Sequence, residues 1–172
     1  MILGLDVSTS ITGATLLDLH GNVLLNFAID TRKYKNFFEK AEKVEEALRK
    51  MKKVPTHIFI EQSLQSFRSG FSSAKTLSTL SRFNGVVSWI CYRNFDIEPE
   101  YLAATSARKI VGIKVPKGTK AKKCVVEYVI DNVPDVTIEY TKHGNPKPHC
   151  FDKADSWVIA QAGWIGCQEK AK

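Results

Sequence analysis

The hydrophobic period of the chain changes after its N-terminal segments, and this change restricts the fold more than any other feature. Residues 2–7 form a short apolar run, and the β-rich segments 12–19 and 22–29 follow it. His20-Gly21-Asn22 separates these two segments and has the composition of a hairpin turn. The chain is therefore predicted to open with one strand and an antiparallel pair.

Helical spacing of apolar residues begins after this hairpin. Residues 34–53 show the pattern of an amphipathic surface helix, and residues 57–61 read as a buried strand ending in Glu61. The remaining predicted elements are a helix over 72–92, a weak strand over 98–102, helices over 105–111, 120–131 and 152–163, and a loop over 135–148. Strands followed by alternation with helices predict an α/β layered fold, and the length favours a single domain over 1–172.

The helix predicted over 72–92 is apolar nearly all round in its C-terminal half, where Phe83, Val86, Val87, Trp89 and Ile90 occur. A helix of this kind needs apolar neighbours on two sides. We expect the sheet to be one neighbour and the same helix of a second subunit to be the other.

Positive charge is concentrated in one part of the chain. The whole sequence carries a net charge of +7, whereas the segment from Gln62 to Val126 has eleven Lys or Arg and three acids. Such a field favours a polyanionic partner such as nucleic acid, although a basic face that serves only solubility remains an alternative.

Other compositional features argue against several classes of protein. No apolar stretch approaches the ~18–20 residues of a membrane span, and Asp6 follows the first apolar run too early for a signal peptide. The four cysteines form no C-x-x-C pair, so neither a zinc site nor a disulfide framework is predicted. We expect an intracellular, cytoplasmic protein.

Four acids lie at the ends of predicted elements. Asp6 ends the first strand, Glu61 ends a later one, and Asp152 and Asp155 begin the last helix, spaced so that they face the same way. Each has a structural explanation by itself: Asp6 as a turn residue, Glu61 as a strand end that reaches water, Asp152 as an N-cap and Asp155 as a partner of the helix dipole.

Taken together, the four acids indicate a metal site. Acids that converge at one sheet edge repel each other unless a cation compensates them. With no Cys/His set, Mg²⁺ or Mn²⁺ fits better than zinc, and two such ions can promote phosphoryl displacement. A basic protein with an acidic metal site suggests a nuclease.

Four segments, in order and approximate spacing, resemble the RuvC Holliday junction resolvases. They are Ile-Leu-Gly-Leu-Asp-Val-Ser-Thr-Ser-Ile-Thr-Gly (2–13), Phe-Ile-Glu-Gln (59–62), Ile-Val-Gly-Ile (110–113) and Asp-Lys-Ala-Asp-Ser-Trp-Val-Ile-Ala (152–160). The resemblance covers essentially the whole chain. It implies a ribonuclease-H-like fold, with a mixed central sheet of about five strands flanked by helices.

The resemblance also implies an activity and a catalytic tetrad. Asp6, Glu61, Asp152 and Asp155 would bind Mg²⁺, with Mn²⁺ as a substitute and two ions per site. The enzyme would be a homodimer, joined through the helix at 72–92, that nicks symmetry-related strands of a four-way DNA junction. The family's usual Asp-Pro-Gly-Ser-Arg is Asp-Val-Ser-Thr-Ser here, which indicates a divergent viral or organellar member; a viral one would act in the host cell cytoplasm.

Further residues are expected at the DNA. Lysines after the Val-Gly motif contact substrate in the family, and Lys117 and Lys120 are the nearest counterparts, with Lys120 assigned to the catalytic group. His149 lies three residues before Asp152 and is interpreted as a loop residue, with a role as base or ligand as the alternative. The full predicted DNA-binding set is Leu64, Phe67, Arg68, Phe71, Arg108, Lys109, Lys114, Lys117, Lys120, Lys122 and Lys123.

Several other functions remain open. A nuclease for flaps, forks and other branched DNA, a binding module without activity, and an RNA-directed relative of the fold would carry much of the same sequence. The actin-like kinases also have an Asp followed by Ser and Thr after a first strand, but they need two lobes and a glycine-rich adenosine motif. The 172 residues and ten glycines leave little space for either.

Overall fold

A mixed five-stranded sheet with helices on both faces forms the described part of the chain, residues 1–62 and 74–170, in the computed structural model. The strand order is β3-β2-β1-β4-β5; β2 is antiparallel to β1 and β3, while β4 is parallel to β1 and β5. The elements in chain order are β1 (Ile2–Asp6), β2 (Ile11–Leu17), β3 (Val23–Asp30), α1 (Phe37–Arg49), β4 (His57–Glu61), α2 (Ala74–Phe95), β5 (Glu100–Leu102), α3 (Ala104–Val111), α4 (Ala121–Asn132) and α5 (Pro148–Lys170). The predicted α/β class is confirmed.

The turn between β2 and β3 forms where the sequence predicts it. The Asp18 carboxylate accepts hydrogen bonds from the backbone N–H groups of His20 and Asn22, and Gly21 adopts a φ of 85°, which favours glycine. The indole N–H of Trp164 in α5 donates to the carbonyl of Leu19. This contact joins α5 to the hairpin.

The helices pack on the two faces of the sheet as separate layers. On one face, α3, α4 and α5 bury a cluster that includes Phe59, Val129, Trp157 and Ile159. On the other face, α1 and α2 bury a cluster that includes Leu5, Val44, Leu48 and Phe83. Burial of apolar side chains on both faces stabilises the sheet and holds its strands in register.

Two glycines let α5 lie directly on the sheet. A Cβ atom on Gly4 of β1 would stand 2.3 Å from the backbone nitrogen of Ala160, and one on Gly13 of β2 would stand 1.9 Å from the carbonyl oxygen of Asp152. These approaches are too close for any side chain. They place the first turns of α5 over the end of β1 that carries Asp6, because Gly13 is the register partner of Asp6.

Helix α5 begins at Pro148, one turn earlier than predicted, and extends to Lys170. Proline suits the first turn of a helix because its missing N–H would have no partner there. Asp152 therefore lies inside the helix and is not its N-cap, so that interpretation was wrong. His149, interpreted as a loop residue, lies in the first turn of α5.

Helix α2 shows the apolar character predicted for its C-terminal half. Phe83, Val87 and Ile90 are buried against the sheet, whereas Trp89 is 56% exposed and Tyr92 is 53% exposed on the same helix. Residues 72 and 73, at the start of the predicted helix, lie outside the described residues. Neither α2 nor any other helix of the described residues has the length and apolar character to cross a membrane.

Candidate active site

Asp6 and Glu61 lie at the same end of the sheet, because each is the last residue of one of two neighbouring parallel strands. Leu5 of β1 is the register partner of Ile60 of β4, so the acid that follows each of them emerges at the carboxyl end of its strand. Asp6 is only 9% exposed. In open α/β sheets this edge is the usual location of binding sites.

Asp152 and Asp155 reach the same edge from α5. Gly13 pairs with Asp6 in the sheet and lies under the backbone of Asp152, so the helical turn that carries Asp152 lies over the end of β1. Asp155 follows one helical turn later and is 8% exposed. The structure thus brings together the four acids on which the predicted site depends. We refer to the end of the sheet where Asp6, Glu61, Asp152 and Asp155 meet as the acidic edge.

Burial and mutual repulsion raise the pKa values of the two strand carboxylates. The pKa of Asp6 lies well above its ordinary value because the side chain is buried and because Glu61 and Asp155 add negative charge. The pKa of Glu61 is raised to about 7, mainly by burial and then by Asp155. Both groups are therefore costly to ionise together without a compensating cation.

The two acids of α5 show the same effect. Burial raises the pKa of Asp155 to about 6, and the positive charge of Lys122 opposes this shift. Burial also raises the pKa of Asp152, while Lys122, His149 and Arg32 lower it. Burial therefore opposes ionisation of both acids, and the nearby cations offset this effect only in part.

The lysine that the structure places at the carboxylates is Lys122. Its Nζ lies 3.7 Å from Oδ2 of Asp155 and 3.9 Å from Oδ1 of Asp152, although 64% of its side chain is exposed. Burial lowers the pKa of Lys122, but the four carboxylates raise it to a greater extent. Among the described residues, neither Lys117 nor Lys120 forms an ion pair with these acids, so Lys122 takes the position expected of Lys120.

Other cations surround the site at longer range. The guanidinium of Arg108 on α3 lowers the pKa of both Glu61 and Asp155. Nε2 of His149 lies 2.9 Å from Oε1 of Glu139, which ties this side chain to the loop before α5. The positive charge of protonated His149 lowers the pKa of Asp152, and its alternative role as a base or ligand stays a prediction.

The predicted DNA-binding residues fall into two groups beside the carboxylates. Arg108, Lys109 and Lys114 line a cavity of about 480 Å³ at the end of α3. Lys120, Lys122 and Lys123 line another of about 630 Å³ beside α4. Lys117 is exposed in the turn between these two helices. Leu64, Phe67, Arg68 and Phe71 lie outside the described residues.

Two polar residues that sequence reasoning missed hold the site together. The side-chain amide of Asn84, buried in α2, donates to the carbonyl of Glu61 at 2.9 Å. The buried Thr12 hydroxyl donates to the carbonyl of Ser8 at 3.0 Å and accepts from the N–H of Ser8 at 3.3 Å. These two bonds close the turn after Asp6. The signal for Asn84 was a polar residue in an apolar helical run, next to Phe83.

Comparison with solved structures finds the same architecture in RuvC of Thermus thermophilus. Thermus thermophilus RuvC in complex with a Holliday junction substrate matches 98% of this chain and 94% of its own, with a TM-score of 0.66 and 13% identity. A second Thermus thermophilus RuvC structure matches 98% of this chain and 96% of its own, with a TM-score of 0.62 and 15% identity. This chain has the RuvC fold. No protein-family model and no curated protein matches the sequence.

On this RuvC fold, the donor chemistry of the acidic edge fits a divalent ion. All four side chains offer oxygen, the ligand atom that Mg²⁺ and Mn²⁺ prefer. Burial and neighbouring acids raise the pKa values of Asp6, Glu61 and Asp155, so a bound cation would favour their ionised forms. Within the described residues, however, no three Asp, Glu, His or Cys side chains are already arranged around one ion position. Binding of one ion by three or more of these acids would therefore require their side chains to move.

The raised pKa values at the acidic edge predict that the metal-free protein loses stability as pH rises. Glu61, with a pKa of about 7, and Asp155, with a pKa of about 6, hold their protons more tightly in the folded state than in the unfolded state. The free energy of unfolding should therefore fall between about pH 4.5 and 7, by on the order of a few kcal/mol. Thermal denaturation with a chelator at pH 5 and pH 8 measures this fall, and Mg²⁺ should reverse it at pH 8.

Two comparisons make this stability test specific. Glu61→Gln should reduce the loss of stability between pH 5 and pH 8, because one of the groups that titrate there is absent while Asp155 remains. The stability contributed by Asp30 and Glu46, each with a pKa of about 2, changes with pH only below about pH 4.5. A metal-free wild type that becomes more stable from pH 5 to pH 8 would contradict the electrostatic account.

Proposed function

We propose that this protein is a magnesium-dependent endonuclease that cuts four-way DNA junctions. The observation that carries the proposal is the meeting of Asp6, Glu61, Asp152 and Asp155 at one sheet edge, beside Lys122, on the RuvC fold. A protein that only binds nucleic acid gains nothing from buried acids next to phosphate, because they repel it. Hydrolysis of the phosphodiester gives these acids a purpose.

Nucleic acid is the substrate class that the charged surface favours. The cavities flanking the acidic edge are lined by Arg108, Lys109 and Lys114 on one side and by three lysines at the start of α4 on the other. Cations in this arrangement can follow the phosphates of a strand that passes over the carboxylates. The solved RuvC complex contains a Holliday junction substrate, which suggests the same substrate here.

Each side chain of the site has a defined task in this proposal. The four carboxylates would hold the divalent ions, expected to be two per site, and Asn84 positions Glu61 through its backbone carbonyl. When bound, the ions supply Lewis acidity and activate water for in-line displacement at phosphorus. The exclusion of bulk water around Asp6 and Asp155 strengthens every electrostatic interaction with the substrate.

Lys122 takes the role that the sequence analysis assigned to Lys120. In the metal-free protein its ammonium group partly neutralises Asp152 and Asp155. Its side chain is largely exposed, so it can turn from these acids to a phosphate oxygen of the substrate. A cation at that position offsets the negative charge that develops on the phosphate in the transition state.

A homodimer through α2 completes the proposal. The outer face of α2 exposes Trp89 and Tyr92 and borders an apolar cavity of about 550 Å³ that is also lined by Phe38 and Val86. Exposed apolar area of this kind is typical of protein interfaces. Two sites related by a dyad match a junction whose cut strands are also related by a dyad.

The dimer can be tested at the exposed tryptophan. Wild-type protein should be dimeric by light scattering at micromolar concentration with DNA present, whereas Trp89→Glu should be largely monomeric because it places a charge in the interface. Leu19→Glu is the control, since Leu19 is 71% exposed in the β2–β3 turn. A monomeric wild type would contradict the dimer.

Substrate choice separates the proposed junction resolvase from a general debranching nuclease. Four-way junctions, flaps, forks and linear duplex, with an RNA junction alongside, should be compared at equal concentration in Mg²⁺. We expect paired nicks in the four-way DNA junction at least about tenfold faster than cutting of any other substrate. Equal rates on flaps and forks would replace the resolvase with a branched-DNA nuclease.

A further inference from the structure

The cavity beside α4, which adjoins the acidic edge, has features of a ligand site. It measures about 630 Å³ and lies between α4, the turn formed by residues 140–146 and the start of α5. This volume falls within the range of sites that bind small molecules or single nucleotides. Its walls combine aromatic and aliphatic side chains with a few polar groups, as such sites commonly do.

Two aromatic side chains give this cavity its character. Tyr140 is 49% exposed although it lines the cavity, and Phe151 is partly buried on the opposite element, α5. The side-chain amide of Asn145 also lines the cavity and can both donate and accept hydrogen bonds. Aromatic rings with an adjacent amide are the means by which proteins stack and read unpaired bases.

The turn that carries Tyr140 and Asn145 is held in shape by its own hydrogen bonds. The N–H of Thr141 donates to the carbonyl of Asn145 at 2.8 Å, and Tyr140 forms an antiparallel bridge with Pro146. Gly144 has a φ of 78°, which closes the turn. A wall formed before the ligand arrives costs little conformational entropy on binding.

The cavity shares Lys122 with the proposed catalytic site. Lys122 lines the cavity and also lies 3.7 Å from Asp155, while Phe151 directly precedes Asp152 on α5. Lys120 and Lys123 add positive charge, and the lone acid among the lining residues, Glu127, already pairs with Lys123 at 3.7 Å. A strand with its phosphate at the carboxylates therefore meets an attractive field on this side.

We propose that this cavity receives one unpaired base of the strand being cut, next to the scissile phosphate. The base stacks on Tyr140, Asn145 contacts its hydrogen-bonding edge, and the lysines hold its phosphate. The cavity thereby gives the nuclease a preference for certain bases near the cut. This inference rests on the proposed endonuclease function, because only a strand cut at the acidic edge places a base here.

The test is single-turnover cleavage of four-way junctions that differ at the positions flanking the cut. Each position is occupied in turn by each of the four bases or by an abasic site. We expect one position at which the abasic site slows wild type by about tenfold and at which the bases are distinguished. Tyr140→Ala should slow cleavage of the preferred junction to a similar extent and remove the dependence on that position, and Tyr140→Phe should restore both.

Tyr34→Ala is the matched control, since this ring also lies close to lysines, Lys33 and Lys43, but precedes α1. It should retain the wild-type rate and base dependence. Full base dependence in Tyr140→Ala, or none in wild type, would overturn the base site while leaving the endonuclease in place. Failure of wild type to cut any junction would overturn the endonuclease, and the base site with it.

Discussion

Replacing Asp6 by asparagine is expected to lower the rate of junction cleavage by at least about a thousandfold while junction binding is retained. Asp6 stands at the centre of the acidic edge, and the charges of the three other acids all act on it. Asparagine keeps the shape of the side chain but offers a neutral amide to a divalent ion. Gel-shift titration with a chelator and single-turnover cleavage in Mg²⁺ measure binding and cutting separately.

The same substitution should make the metal-free protein more stable. Asp6 is buried and its pKa is raised, so its ionised form opposes folding near neutral pH. Removing that charge should raise the melting temperature at pH 8 while activity falls. Asp131→Asn, an exposed acid at the end of α4, should change neither quantity. Cleavage by Asp6→Asn at the wild-type rate would remove Asp6 from the catalytic site.

Replacing Gly13 by alanine is expected to destabilise the fold by about 3 kcal/mol or more. The added Cβ would stand 1.9 Å from the carbonyl oxygen of Asp152 and 2.4 Å from its carbonyl carbon, and neither atom belongs to a side chain that can rotate away. Helix α5 must move off β2 instead. For a protein of this length the melting temperature should fall by roughly 10 °C.

The displacement should also affect activity, because Asp152 is carried on the segment that moves. A shift of about 1 Å in a catalytic group can lower the rate roughly a hundredfold, and we expect a loss of that order at a temperature where the variant remains folded. Gly166→Ala is the control in the same helix, since nothing lies within 4 Å of the added methyl. It should leave activity unchanged and add about 0.5–1 kcal/mol of stability. A melting temperature of Gly13→Ala equal to that of wild type would contradict the proposed packing.

The strand-end acids were accessible from the sequence because each follows an uninterrupted apolar run. The predicted strand over 57–61 coincides with β4, and Asp6 ends β1, where the run that begins at Ile2 meets its first charge. A buried strand between polar segments leaves few alternatives for its boundaries. Convergence of Asp6 and Glu61 then depends only on parallel pairing of β1 with β4, which the alternation of strands and helices favours.

The start of α5 and the identity of the lysine at the site were less accessible. Gly144, Pro146 and Pro148 together indicate a loop, yet Pro148 occupies the first turn of α5, where proline is well tolerated. Lys122 is one of several closely spaced lysines, and only the position of α4 against α5 decides which of them reaches Asp155. Such helix positions depend on tertiary packing, which local sequence patterns do not encode.

Metal-dependent hydrolysis at the four carboxylates is the property on which the proposed function depends most directly. Purified wild-type protein should be mixed with a synthetic four-way junction across a range of Mg²⁺ and Mn²⁺ concentrations at several pH values, with a chelator control and with Asp6→Asn in parallel. We expect nicks in symmetry-related strands with Mg²⁺ or Mn²⁺, none with the chelator, and none with Asp6→Asn. A junction left intact by wild type under all of these conditions would contradict the account.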